Sequence, residues 1–256
     1  MLQKLKGYQF LFEELVKRDF KKKYKRTALG MVWSVLSPLL MLLVMALVFT
    51  QFFGRTTEHY IIYLFAGQIV FSYFTDATNE GMHSLVGNAG IFTKVNVPKY
   101  LFLLSKNVSA LINFGLILLV FFGFIIAEPG LHFTWKYICL IFPIICLIVF
   151  NLGVGLILSA LFVFFKDIEY LYRVFTQLLM YLSAIFYNIE AFPLKIQYLF
   201  YLNPIYVCIR YFRKIVIEND IPEPAFHLLL AFYALTVFAI GCWMYKKYNH
   251  KFLYYV

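Results

Sequence analysis

Between Val32 and Phe53 the chain carries no charged residue, and the run is about the 20 residues that an α-helix needs to cross a bilayer. Few folds accept such a run. In hydrocarbon every backbone amide must find its partner inside the protein, which leaves helices and closed barrels. Barrel strands would alternate apolar and polar residues in segments of about ten, whereas here the apolar runs are long and continuous. Composition agrees: the chain is 62% hydrophobic with a mean hydropathy of +0.77, where soluble domains are nearer half apolar. The expectation is an all-α integral membrane protein forming a single transmembrane domain over residues 1–256.

The segment before that run is different in kind. Tyr8, Leu11, Phe12, Leu15, Val16, Phe20 and Tyr24 recur at the three-and-four spacing of one helix face. Lys17, Arg18, Lys21, Lys22 and Lys25 fall on the rest of the surface. Residues 1–31 therefore read as an amphipathic helix lying in the membrane interface, apolar side down and cations among anionic headgroups. A cleaved signal peptide is not expected, because charged and apolar regions are both too long and no small-residue cleavage site follows at Gly54-Arg55.

Spans are expected at about 32–53, 60–78, 100–127, 134–165, 171–187 and 225–245. Gly155 and Ser159 in the fourth have the spacing of closely packed helices. Residues 79–99 interrupt the apolar pattern, with a turn at Gly87-Asn88-Ala89-Gly90 and a helix start at Pro98. Residues 190–222 hold two aromatic stretches broken by Asn203-Pro204, each too short to span. They read as a short re-entrant helical hairpin on the outer side. With the N-terminus inside, 17 of the 23 Lys and Arg residues fall on inner segments, which favours six spans with both termini cytoplasmic.

Several chemistries are unsupported. The net charge of +10 belongs first to orientation and lipid headgroups, so nucleic acid is not an expected partner. Cys139, Cys146, Cys208 and Cys242 show no metal-ligand or disulfide spacing. No GxxxxGK[ST] loop is present to cradle ATP phosphates, and no catalytic constellation of a glycan-transferring enzyme. Asp76 is the one acid inside an expected span and reads as a helix-end residue rather than a proton site. Aromatics make up 21% of the chain. Tyr63, Phe71, Tyr73, Phe74, Tyr181, Phe186 and Tyr187 are candidates to stack on sugar rings along a path, though packing is the better reading for any one of them. Arg210, Arg213 and Lys214 read first as snorkelling to outer headgroups, and second as partners of a lipid diphosphate.

Four stretches together resemble a known family: RDFKKKYKRTALGMVWSVLSPLL, NEGMHSLVGNAGIFTKVNVPK, FFKDIEYL and YLNPIYVCIRYFRKIVI. In that order they are similar to the membrane subunit of polysaccharide-exporting ABC transporters, the class that exports O antigen, teichoic acid and capsule. The resemblance implies a homodimer in the bacterial inner membrane with two ATPase subunits beneath. ATP and Mg would be bound by that partner, and this chain would hold no cofactor or metal. It implies that residues 81–97 dock on the ATPase, with Met82, Leu85, Val86, Ile91 and Phe92 as apolar contacts and Lys94 as a charge. Asp167 and Tyr170 would make a second, lesser contact. Phe12, Val16, Lys17, Arg18, Phe20, Lys21, Lys22 and Lys25 would belong to the entrance helix, and Asn203, Pro204, Arg210, Arg213 and Lys214 to the hairpin. The expected cargo is an undecaprenyl-diphosphate type glycan, O antigen before teichoic acid or capsule. An exporter of small amphiphilic drugs or lipids, and a membrane enzyme of glycan assembly, are the competing readings.

Overall fold

In this bundle one helix is enclosed by the others. In the computed structural model of the chain that helix is α3 (Tyr60–Met82), 16 of whose 23 residues are buried, so the bundle is built around it. The structure describes residues 2–25, 27–52, 58–95 and 97–255. Around α3 stand α2 (Trp33–Leu47), α5 (Tyr100–Ala127), α6 (Ile141–Phe164) and α9 (Pro204–Val216). α1 (Leu2–Tyr24) packs along α5, and α10 (Pro224–Tyr248) along α6. α4 (Ala89–Phe92), α8 (Leu194–Phe200) and α11 (Phe252–Tyr255) are short pieces, and α7 (Ile168–Leu182) completes the set.

Small residues set how closely the long helices approach. A Cβ on Gly153 of α6 would lie 2.6 Å from the Phe238 backbone nitrogen of α10. One on Gly241 would lie 2.7 Å from the Gly153 carbonyl oxygen. Gly81 and Gly155 bring α3 and α6 together in the same way, both crowding Leu103. Gly155 thus serves close packing as its spacing predicts, while the tightest crossing runs through Gly153 and Gly241.

Several boundaries move. α3 continues four residues past the expected 78, to Met82. The expected 134–165 begins as a 3-10 turn over Trp135–Leu140 before α6. The fifth helix stops at Leu182, five residues short of 187, and Ser183–Asn188 is not helical. The expected end of the first span at Phe53 and the start of the loop after it lie outside the described residues. By length and composition, four helical stretches among the described residues are able to cross a membrane: Gly30–Thr50, Tyr100–Ala127, Trp135–Phe164 and Pro224–Tyr248. α3 is long enough but carries Gln68, Asp76, Asn79 and Glu80 and sits inside the others. α7, with 15 residues, reaches only about 22 Å.

The bundle has two distinct ends. One gathers the last turns of α1, α3, α6 and α10 and the first of α5 and α7, tied by Lys23–Asp76 (2.9 Å) and by Lys99 to Asn249 (2.6 Å). The other is closed by His59–Glu128 (3.1 Å), Thr134–Asn219 (2.8 Å) and Tyr211–His227 (2.7 Å).

Candidate functional site

The basic end is organised by an acid. Asp19 falls on the apolar face of α1, four residues after Leu15, and both are buried. Its carboxylate accepts from Arg18 Nη2 at 2.7 Å and lies 3.4 Å from Lys106 Nζ of α5. Lys106 also pairs with Glu80 of α3 at 2.9 Å. Arg18 reaches on to the Asn88 side-chain oxygen at 2.8 Å, and Asn88 donates back to the Ser84 carbonyl at 2.8 Å. A buried carboxylate needs such partners. The result is that α1, α3, α5 and the segment after α3 form one cross-linked unit. Asp19, Glu80 and Lys106 were not singled out from sequence, and Asn88 only as part of a turn. The readable signal was an acid inside an apolar stripe.

The entrance-helix residues keep the amphipathic split. Phe12, Val16 and Phe20 are half-buried, while Lys17, Arg18, Lys21, Lys22 and Lys25 are exposed. Lys17 pairs with Glu14 at 3.0 Å, and that bond raises its pKa. Asp76 pairs with Lys23 near the end of α3.

Residues 83–95 form a turn, a 3-10 turn at Val86–Asn88 and the single helical turn α4. Three of the expected docking side chains face inward. Met82 packs with Leu158, Phe162 and Tyr172, while Leu85 and Phe92 join Leu15, Phe102 and Leu103 in a second core. Each is at most 5% exposed, so none offers a surface to a partner. Val86 and Ile91 are half-buried against the same core. The outward face consists of Gly87, Gly90, Thr93, Lys94 and Val95. Asp167 and Tyr170 are also exposed, at the start of α7.

At the opposite end, Asn203 caps α9 by accepting from the Ile205 and Tyr206 amides, with Pro204 at the first helical position. The two short helices α8 and α9 thus meet where Asn203-Pro204 predicts. Within the basic trio, Arg213 departs from the expected snorkelling. Arg213 is 2% exposed and touches neither headgroup nor diphosphate space. It donates to the carbonyls of Ala184 (2.9 Å), Ile185 (2.9 Å) and Tyr63 (3.1 Å), and its guanidinium lies 3.3 Å from the centre of the Tyr63 ring. Gly67 leaves the room, since a Cβ there would meet Arg213 Nη2 at 2.9 Å. Arg210 pairs with Glu218 and Glu190, and Lys214 with Asp220 at 3.3 Å.

The reason for this clamp is the broken end of α7. Ala184 sits at φ 49°, which is strained for a residue with a Cβ. The carbonyls that leave the helix are met one by one: Ala184 and Ile185 by Arg213, Phe186 by the Tyr60 hydroxyl (2.9 Å), Tyr187 by the Tyr63 hydroxyl (2.7 Å). Four of the candidate path aromatics are core in this chain, because Phe71, Tyr73, Phe74 and Phe186 are each 9% exposed or less. Tyr73 donates to Asn107 at 3.1 Å. Tyr63 and Tyr187 are half-buried, and Tyr181 is exposed.

An amphipathic N-terminal helix tied to a multi-helix membrane bundle, with a short helical element between the second and third long helices, can be compared with known proteins. The family model for ABC-2 type transporters matches residues 11–217. The chain belongs to the ABC-2 type transporter family. That makes it the membrane part of a transporter and a multi-pass membrane protein. Among curated relatives of this ABC-2 chain, the O-antigen export system permease protein RfbA of Klebsiella pneumoniae is 25% identical over 252 residues, covering 96% of this chain and 95% of the relative. The RfbA protein of Myxococcus xanthus is 26% identical over 227 residues, covering 87% and 86%. The polysialic acid transport protein KpsM of Escherichia coli is 23% identical over 239 residues, covering 91% and 92%.

Proposed function

We propose that this chain is the channel-forming permease subunit of an ATP-driven exporter. It moves a lipid-linked polysaccharide, O antigen first and teichoic acid or capsule next, across the inner membrane. What carries the reading is similarity over 96% and 87% of the chain to permeases named for O-antigen export. Two copies form the path, above two separate ATPase subunits that bind ATP and Mg. Six spans with both termini in the cytoplasm follow from the charge bias, with α3 and α7 shielded by neighbours and by the second copy. The segment 190–222 is then the outer hairpin.

In this scheme Gly87–Val95 rests on the ATPase through its outward face, Thr93, Lys94 and Val95, with Asp167 and Tyr170 beside it. Its stroke reaches α1 through Asn88, Arg18 and Asp19, which are already hydrogen-bonded in series. The entrance helix therefore moves with the docking segment rather than independently of it. Of the candidate aromatics, Tyr181 is the exposed one, and Tyr63 and Tyr187 are half-exposed; these three remain the ones to line a sugar path.

Deletion of the gene tests the reading. Undecaprenyl-type glycan stored inside the cell with a bare surface is expected. An unchanged surface with no stored intermediate would overturn polysaccharide export and favour a small-amphiphile exporter.

A further inference from the structure

The polysaccharide reading leaves one large cavity unused. It lies at the basic end between α5, α6 and α10 and measures about 930 Å³, within the roughly 300–1,000 Å³ of small-molecule sites. Leu152 and Leu156 of α6 and Phe238 of α10 form its apolar wall. Lys99, Lys246 and His250 stand among its lining, and no described lining residue is acidic. Lys246 and His250 are exposed, on the last turn of α10 and just beyond it.

Lys99 is the informative group. It is half-buried just before α5, and its ammonium donates to the Asn249 carbonyl at 2.6 Å and side-chain oxygen at 3.1 Å. Both acceptors are neutral. Burial holds its pKa below the usual lysine value. The site thus joins an apolar trough to a cationic mouth in which no described lining residue carries a negative charge.

We propose that this cavity binds an anionic phospholipid, an acyl chain along Leu152, Leu156 and Phe238 and the phosphate against Lys99, Lys246 and His250. A soluble anion would have no use for the apolar wall, and a zwitterionic lipid would leave the cationic excess unmatched. Each basic residue near an anionic headgroup contributes about 1 kcal/mol. The basic end faces the cytoplasm by the charge bias, so the lipid comes from the inner leaflet.

The test uses the purified full chain in neutral detergent, titrated with phosphatidylglycerol or with phosphatidylcholine of the same acyl chains. Native mass spectrometry counts retained lipid, and thermal unfolding reports the shift in apparent Tm. One phosphatidylglycerol per chain is expected to survive conditions that strip phosphatidylcholine, with a Tm rise specific to the anionic lipid. Lys246→Glu with His250→Glu should weaken retention about tenfold or more. Lys246→Gln, a milder surface change, should weaken it less. Leu152→Trp, which fills the trough without altering charge, should also expel the lipid. Equal retention of the two lipids, or unchanged retention in the double variant, overturns the assignment. Displacement of phosphatidylglycerol by a lipid-linked glycan diphosphate at lower concentration would also overturn it, giving the cavity to the transported cargo.

Discussion

Replacing Arg213 with Met keeps the length of the side chain and removes every donor. The carbonyls of Ala184 and Ile185 then lose the donors that meet them among the described residues, while the Tyr63 carbonyl lies in α3 and keeps the helix ladder. A buried polar group left unpaired costs about 1–3 kcal/mol. Two of them give about 2–6 kcal/mol, offset in part by no longer burying a guanidinium that has no carboxylate partner. A net loss of about 3 kcal/mol follows, which at roughly 2–4 °C per kcal/mol for a chain of this size lowers Tm by about 6–12 °C. Thermal unfolding of the purified protein in detergent, followed by Trp fluorescence, measures it. Arg213→Lys should fall between, because one ammonium cannot span carbonyls on two elements as a guanidinium does. Arg210→Met is the control: its ion pairs with Glu218 and Glu190 are partly exposed and contribute about 0–1 kcal/mol. An Arg213→Met protein that melts within about 2 °C of the parent, or together with Arg210→Met, would refute the clamp and show that the carbonyls find other donors.

Two other substitutions follow from the packing. Gly153→Val drives a side chain into the Phe238 backbone and should cost about 1–3 kcal/mol, seen as a lower Tm and less monodisperse protein; Gly123→Val, whose added Cβ meets nothing within 4 Å beyond its own helix backbone and chain neighbours, should leave both nearly unchanged. Lys94→Glu with Val95→Asp should abolish co-purification of the ATPase at unaltered Tm, whereas Phe92→Asp should lower Tm by burying a charge. Retained ATPase in the double variant removes the docking face from Gly87–Val95.

The membrane class, the amphipathic α1 and the α8–α9 break were legible because each rests on local chemistry. A charge-free run of span length, a three-and-four stripe and an Asn-Pro cap need no knowledge of the rest of the chain. The failures share a cause. Leu85 and Phe92 look the same in sequence whether they face a partner or their own core, and only the position of α5 decides. Arg213 on an aromatic helix reads as snorkelling until the end of α7 is known to unwind some thirty residues upstream, with carbonyls to be met. The centrality of α3 was hidden too. A helix buried all round has no stripe, and its Gln68, Asp76 and Glu80 made it look less committed to the interior than its neighbours.

The two ends of the bundle are held by forces of different strength, and this bears on which end moves. At the end opposite the basic one the clamp is buried, multiply bonded and fitted around Gly67. At the basic end Lys23–Asp76 is 35% and 48% exposed, and Glu80, opposite Lys106, is 42% exposed. Pairs that open to solvent contribute about 0–1 kcal/mol each and weaken further with salt. Among the described charged residues of these pairs Asp19 is the deeply buried one, and it is shared between two cations on different helices. Its partners can therefore exchange share without leaving it unpaired. The charged contacts that hold α1 to α5 and to the segment bearing Asn88 are thus the more solvent-exposed set, whereas displacing α9 would break the buried Arg213 clamp. By its polar contacts alone, the end where the basic helix lies is held less tightly than the other.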